Sequence, residues 1–215
     1  MSIIQQLTEK TGQYWLDYID HDFVKQLANG TLPKHCFQHY LKQDYRFLFQ
    51  YSRAISLGIF KAERFEDIHF AQKMNEGLLS EIQLHIDYCK QWGIEEKELF
   101  ATEESPACVA YTRYVLDCGM KGGLAELYTS LAPCTMGYAE IARRIAPYSG
   151  ANNPYQSWID TYASSEFQQD SQAFADYLTK LYEPLNETRK SELQQIFNTA
   201  SRMEAAFWQM GLDLS

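Results

Sequence analysis

The 215-residue sequence predicts an all-α protein, a single-domain multi-helix bundle spanning 1–215. Three observations carry this. Long segments repeat apolar residues every three to four positions, the period of a helix with one buried face. No stretch alternates with period two between hairpin turns, so no sheet is expected. The turn signals are few and widely spaced, which leaves room for two long helices in each half, with shorter ones between.

Taken in order, NGTLP (29–33) ends a first helical region and Pro33 opens the next helix, where its missing N–H costs nothing. KAERFED (61–67) reads as a charged connection. WGIEEKELFATEESP (92–106) reads as the longest irregular stretch, with a short helix inside it. GMKGG (119–123) reads as a tight break, PYSGANNP (147–154) as a loop, and EPLNET (183–188) as the lead-in to the last helix. There is no internal repeat and no low-complexity segment.

Composition narrows the class. A hydrophobic content of 46% with 14% aromatics describes a packed interior, not a disordered chain. The net charge of −9 argues against a nucleic-acid partner, which selects for a basic face. MSIIQQLTEKTGQYW has neither the basic start nor the apolar run of a secretion signal, and no apolar run reaches membrane-spanning length. The five cysteines (36, 89, 108, 118 and 134) are odd in number and contain no Cys-x-x-Cys pair. They read as reduced thiols, and the expected location is the cytoplasm.

Chemistry enters where the apolar stripes are interrupted. Phe37, Tyr40, Asp44, Phe47 and Tyr51 step by three and four, so Asp44 shares a face with four aromatics. Cys108, Tyr111, Val115 and Cys118 align in a second stripe, and Leu124, Leu127, Leu131, Cys134, Tyr138, Ile141 and Ile145 in a third. Phe197, Ala200, Glu204 and Phe207 align in the last helix. A carboxylate on such a face is costly to bury alone, and burial raises its pKa toward that of a useful proton donor. Cysteine, carboxylates and tyrosines on inward faces would supply a nucleophile, an acid/base and orienting hydroxyls. The alternative is structural: a small core cysteine, and carboxylates paired with Arg46, Arg53, Arg143 or Arg202. Pro133, beside Cys134, removes a helical N–H and predicts a kink, which either opens room for a ligand or is a plain bend.

Metal and nucleotide chemistry find less support. Glu66 and His69 form one Glu-x-x-His, but Glu81 to His85 is one residue too long to be a second, and His35 with His39 lacks an accompanying motif. There is no GxGxxG, no phosphate-binding loop and no GxSxG elbow. Neither a metal nor an organic cofactor is expected.

QDYRFL (43–48), AYTRYV (110–115), PCTMGYAEIA (133–142), WIDTYASSEF (158–167) and MEAAFWQM (203–210) together resemble the thiaminase II (TenA) family, along nearly the whole chain. The resemblance implies a haem-oxygenase-like all-α fold, a homotetramer, and hydrolysis without a cofactor. It implies as substrates 4-amino-5-aminomethyl-2-methylpyrimidine and thiamin, cleaved at the pyrimidine methylene. Carried onto this sequence, it makes Cys134 the nucleophile and Glu204 the acid/base. Asp44 would bind the aminopyrimidine edge, while Tyr138, Tyr162 and Tyr111 would orient substrate. Cys134, Glu204 and Asp44 would then share one pocket. Phe47 departs from the pattern, because many members carry a tyrosine there; thiol activation would fall to Tyr111 or Asp44, and Phe47 itself would stack on the ring. A non-catalytic pyrimidine- or thiamin-binding or regulatory protein is the competing expectation, and a metal-dependent bundle oxygenase a weaker third.

Overall fold

The computed structural model describes residues 2–150 and 152–215. Among them lie eleven α-helices and no strand. They are α1 (Ile3–Thr11), α2 (Gln13–Ile19), α3 (Asp22–Ala28), α4 (Lys34–Lys61), α5 (Phe65–Gln91), α6 (Glu96–Ala101), α7 (Pro106–Lys121), α8 (Leu124–Ile145), α9 (Gln156–Ala163), α10 (Ser165–Tyr182) and α11 (Glu187–Asp213), with a 3-10 turn at Ala146–Tyr148. The all-α class is as the periodicity predicts.

The chain divides into two compact units. One comprises the chain up to Leu32 with Tyr128–Gln209, the other Pro33–Leu127 with Met210–Ser215. Of the three boundaries, one lies just before α4 and the other two fall inside α8 and α11.

In the first unit, the first helical region proves to be three helices. Gly12, at φ +57°, ends α1 in a conformation that a side chain would resist, and its N–H still bonds to the Thr8 carbonyl at 3.1 Å. His21 then starts α3 by accepting the Phe23 N–H on Nδ1 at 3.2 Å. The 147–154 loop has a structural use: the Asn153 amide donates to the Leu27 and Ala28 carbonyls, both at 2.9 Å, and so satisfies the end of α3. Ala151 of that loop lies outside the described residues. WIDTYASSEF is two helices, because Ser164 stops α9 and its hydroxyl accepts the Phe167 N–H to cap α10. The core of this unit is aromatic, with Trp15, Tyr18, Phe23, Tyr128, Phe174, Phe197 and Trp208 buried.

In the second unit, α4 packs along α5 and α7. The short helix expected inside 92–106 is α6, started by a capping box between Glu95 and Glu98. The break expected at 119–123 is confined to its last two residues, since α7 continues to Lys121 and α8 starts at Leu124. Gly119 is helical and serves close packing: a Cβ there would stand 2.8 Å from Leu57 and Leu127 side-chain atoms.

Candidate active site

The first unit holds Cys134, Tyr138, Tyr162 and Glu204. On α8, Leu127, Leu131, Tyr138 and Ile141 are buried, as the stripe predicts, whereas Cys134 is partly exposed. The helix runs unbroken through Pro133. Its neighbourhood is packed tightly: a Cβ on Gly137 would stand 2.1 Å from the Tyr18 ring, so α2 comes almost to the α8 backbone. Glu140, two residues beyond Tyr138, accepts the Trp15 indole N–H at 3.2 Å.

Tyr138 sits among aromatics from α9 and α11. Its ring centroid is 4.9 Å from Tyr162, 5.8 Å from Trp158 and 5.3 Å from Trp208. Trp158 and Tyr162 lie 4.6 Å apart, and Phe167 meets Tyr162 edge-on at 4.9 Å. The Gln168 amide donates to the Tyr162 carbonyl at 2.8 Å and the Ala139 carbonyl at 3.0 Å, tying the end of α9 to α8. Glu204, only 2% exposed, lies one turn before Trp208 on α11. Sequence reasoning missed Trp158, Trp208 and Gln168. The two tryptophans stand inside the quoted WIDTYASSEF and MEAAFWQM stretches, which was the available signal.

The second unit holds Asp44, Phe47 and Tyr111. Phe47 and Tyr111 are in contact, with ring centroids 5.2 Å apart, and Tyr51 extends the stack at 5.8 Å from Phe47. Gln43 fixes the start of α7 against α4, because its amide donates to the Glu103 carbonyl at 3.0 Å and accepts the Ser105 N–H at 2.8 Å.

Asp44 is 5% exposed. Its neighbours within this unit do not include Arg53, which donates to Gln50 at 3.1 Å. They are the Tyr40 hydroxyl, which hydrogen-bonds the carboxyl, and the His85 imidazole, whose Nδ1 stands 3.6 Å from Asp44 Oδ2. Burial pushes the Asp44 carboxyl up to about 7, against the opposing pull of Tyr40. Burial likewise holds His85 below its ordinary value, opposed by its bond to the Leu41 carbonyl and by Glu81. The sequence signals His85 only through its spacing from Glu81, which is one residue too long for a metal motif.

The Glu66–His69 motif has another use. Arg64 takes Asp67 with two bonds of 2.9 Å and Glu66 at 2.7 Å. Among the described residues, no group of three or more His, Cys, Asp or Glu side chains could hold a metal ion, and no helix is long and apolar enough to cross a membrane.

The model of the TENA/THI-4/PQQC family matches residues 8–214. The chain belongs to that family. Within it, the chain is 60% identical over 215 residues to an uncharacterised protein of Haemophilus influenzae, covering 99% of this chain and 100% of that one. It is 35% identical over 213 residues to an aminopyrimidine aminohydrolase of Halalkalibacterium halodurans, covering 98% and 95%. The crystal structure of a TenA family transcription regulator from Silicibacter sp. TM1040 superposes with a TM-score of 0.94 at 39% identity, covering 98% and 96%. A Shewanella denitrificans domain of unknown function with a heme oxygenase-like fold superposes at 0.76 with 11% identity, covering 98% and 92%, a likeness of fold alone. The TENA/THI-4/PQQC chain thus has the haem-oxygenase-like all-α fold that the resemblance implied.

Proposed function

We propose that this chain is an aminopyrimidine aminohydrolase of thiamin salvage. It would convert 4-amino-5-aminomethyl-2-methylpyrimidine and water to the 5-hydroxymethyl pyrimidine and ammonia, and would also cleave thiamin at the same methylene. The observation that carries the reading is that Cys134 alone among the five cysteines is partly exposed, one turn from Tyr138. The name of the Halalkalibacterium relative supports the same reading. A homotetramer in the cytoplasm goes with it.

In this reading, the Cys134 thiolate adds to a pyrimidine ring carbon, and the ring takes up a proton. The ring electrons then break the methylene C–N bond, and the amine leaves as ammonia with a proton delivered to it. Water adds to the exposed methylene, the ring loses its extra proton, and the C–S bond breaks to return the thiolate. Glu204 moves the proton at the ring nitrogen. Asp44 binds the amino edge, and Tyr138, Tyr162 and Tyr111 orient the ring, with Phe47 stacked on it.

The test is turnover of the aminomethyl pyrimidine and of thiamin, followed by chromatography and mass, with chelator present and Cys134→Ala as control. Chelator-insensitive turnover that the variant loses, with binding retained, is expected. Turnover that survives in Cys134→Ala would overturn the cysteine mechanism. A second reading, a non-catalytic pyrimidine or thiamin binder with a regulatory role, is favoured by one observation: Phe47, packed on Tyr111, brings no hydroxyl. The Silicibacter relative carries a regulator's name. Tight binding by the wild type without turnover of either compound would favour this second reading.

A further inference from the structure

The Asp44–His85 contact has a geometry that packing alone does not require. Leu41 and Asp44 are three residues apart on α4, so their groups lie on one helix face. His85 reaches that face from α5 and touches it with both nitrogens. Its Nε2–H donates to the Leu41 carbonyl at 2.9 Å. A carbonyl cannot donate, so this bond fixes the proton on Nε2 and leaves a lone pair on Nδ1 in the neutral ring. That nitrogen stands 3.6 Å from Asp44 Oδ2. A lone pair facing a carboxylate oxygen repels it, and one proton between them reverses the sign. The ring is further held by Tyr45, nearly parallel to it at 6.5 Å, and the His85 side chain is 9% exposed.

We propose that His85 is the positioning residue for Asp44. One proton held at Nδ1 or Oδ2 turns their 3.6 Å approach from repulsive to attractive, and the Leu41 bond sets the orientation of the imidazole that faces the carboxyl group. This rests on the reading above, in which Asp44 meets the amino edge of a pyrimidine. A carboxyl group offers about four acceptor positions, so Tyr40 and His85 leave room for a substrate N–H.

Burial is the main cause of both the raised Asp44 and the lowered His85 values, and with these directions the proton between them rests on the Asp44 carboxyl below about pH 7. The other groups acting on the pair are Tyr40 on α4 and Glu81 on α5, and Asp44 in turn raises the thiols of Cys89 on α5 and Cys108 on α7. Lys42 of α4 is drawn to Glu98 of α6 at 3.3 Å.

Two measurements test the pair. The first needs no ligand: nitrogen-resolved NMR titration of the His85 imidazole in the whole protein, wild type against Asp44→Asn. The expected result is an inflection of the Nδ1 signal near pH 7 in the wild type, where the Asp44 carboxyl loses the proton it offers to that nitrogen, and no such inflection in the variant. An unchanged titration would overturn the shared proton. The second is calorimetric binding of 4-amino-5-hydroxymethyl-2-methylpyrimidine across pH for three variants. His85→Ala should bind about tenfold more weakly, with the midpoint of its pH dependence displaced. His85→Asn, which places an amide where Nδ1 was, should recover most of the affinity. His85→Gln, which keeps only the Leu41 bond, should not. Recovery by Gln instead of Asn, or no loss in Ala, would mean that His85 only packs. Should the wild type fail to bind any aminopyrimidine, the proposed function falls, and the imidazole titration still decides on the pair.

Discussion

Asp44 and Cys134 show how differently two polar residues can sit on an apolar helix face. Burial raises the Asp44 carboxyl from 3.8 to about 7, so between those values the folded protein holds a proton that the unfolded chain has released. Stability from this group is complete below the lower value and is lost as pH rises through the upper one. Asp44→Asn removes the dependence. Thermal melts of the variant and wild type should differ least near pH 4, and the variant should gain as pH rises to about 8, by up to about 4 kcal/mol. A constant difference across that range would refute the burial account. The buried thiols follow the same physics. Burial pushes Cys89 and Cys108 up to about 12, and raises Cys36 and Cys118 as well. Only Cys134 is partly exposed. Limiting iodoacetamide on native protein should therefore modify one thiol per chain, and peptide mapping should find it at Cys134.

At the scale of the helix, glycine has opposite effects at two places. Gly137 lets α2 approach α8, and an added Cβ would stand 2.1 Å from the buried Tyr18 ring. Gly77, in the middle of α5, has nothing within 4 Å of its would-be Cβ. Gly137→Ala should destabilise by about 1–3 kcal/mol through overpacking. Gly77→Ala should stabilise by about 0.5–1 kcal/mol, because glycine loses more freedom on entering a helix. Parallel melts check both signs, and Gly137→Ala should also lower turnover if the α2–α8 approach sets the position of Cys134. Helix identity was legible from the 3.6 period, and so was the buried face on which Asp44, Tyr138 and Glu204 lie, whereas Cys134, on the same α8 stripe, is partly exposed. Helix ends were less so. Gly12 and Ser164 each divide a segment whose periodicity continues across the break, because a local dihedral or a single cap ends a helix without altering the apolar pattern.

For the whole molecule, 28 acidic against 19 basic residues set the long-range field. A net charge of −9 opposes a polyanion, whose binding is driven by counterion release to clustered Lys and Arg. Purified protein should not shift duplex DNA at physiological salt. Lowering the salt should not produce the steep linear gain in log affinity that a DNA-binding protein shows. Binding with a slope equivalent to several phosphates would expose a basic face that the net charge conceals.

The sequence by itself determined the all-α class, the absence of β periodicity, the inward faces of the long helices and, through PCTMGYAEIA and its companion stretches, the family. These are properties of local spacing and of residue types in order, and both are written along the chain. Tertiary structure decided who meets whom. The Asp44 partners are Tyr40 and His85 instead of an arginine. Tyr138 is set among Trp158, Tyr162 and Trp208. Arg64 meets both Glu66 and Asp67. The physical reason is that helical periodicity specifies the direction of a side chain around its own axis and nothing about the helix across from it. Which groups come within hydrogen-bonding reach depends on crossing angles and on gaps as narrow as those at Gly119 and Gly137.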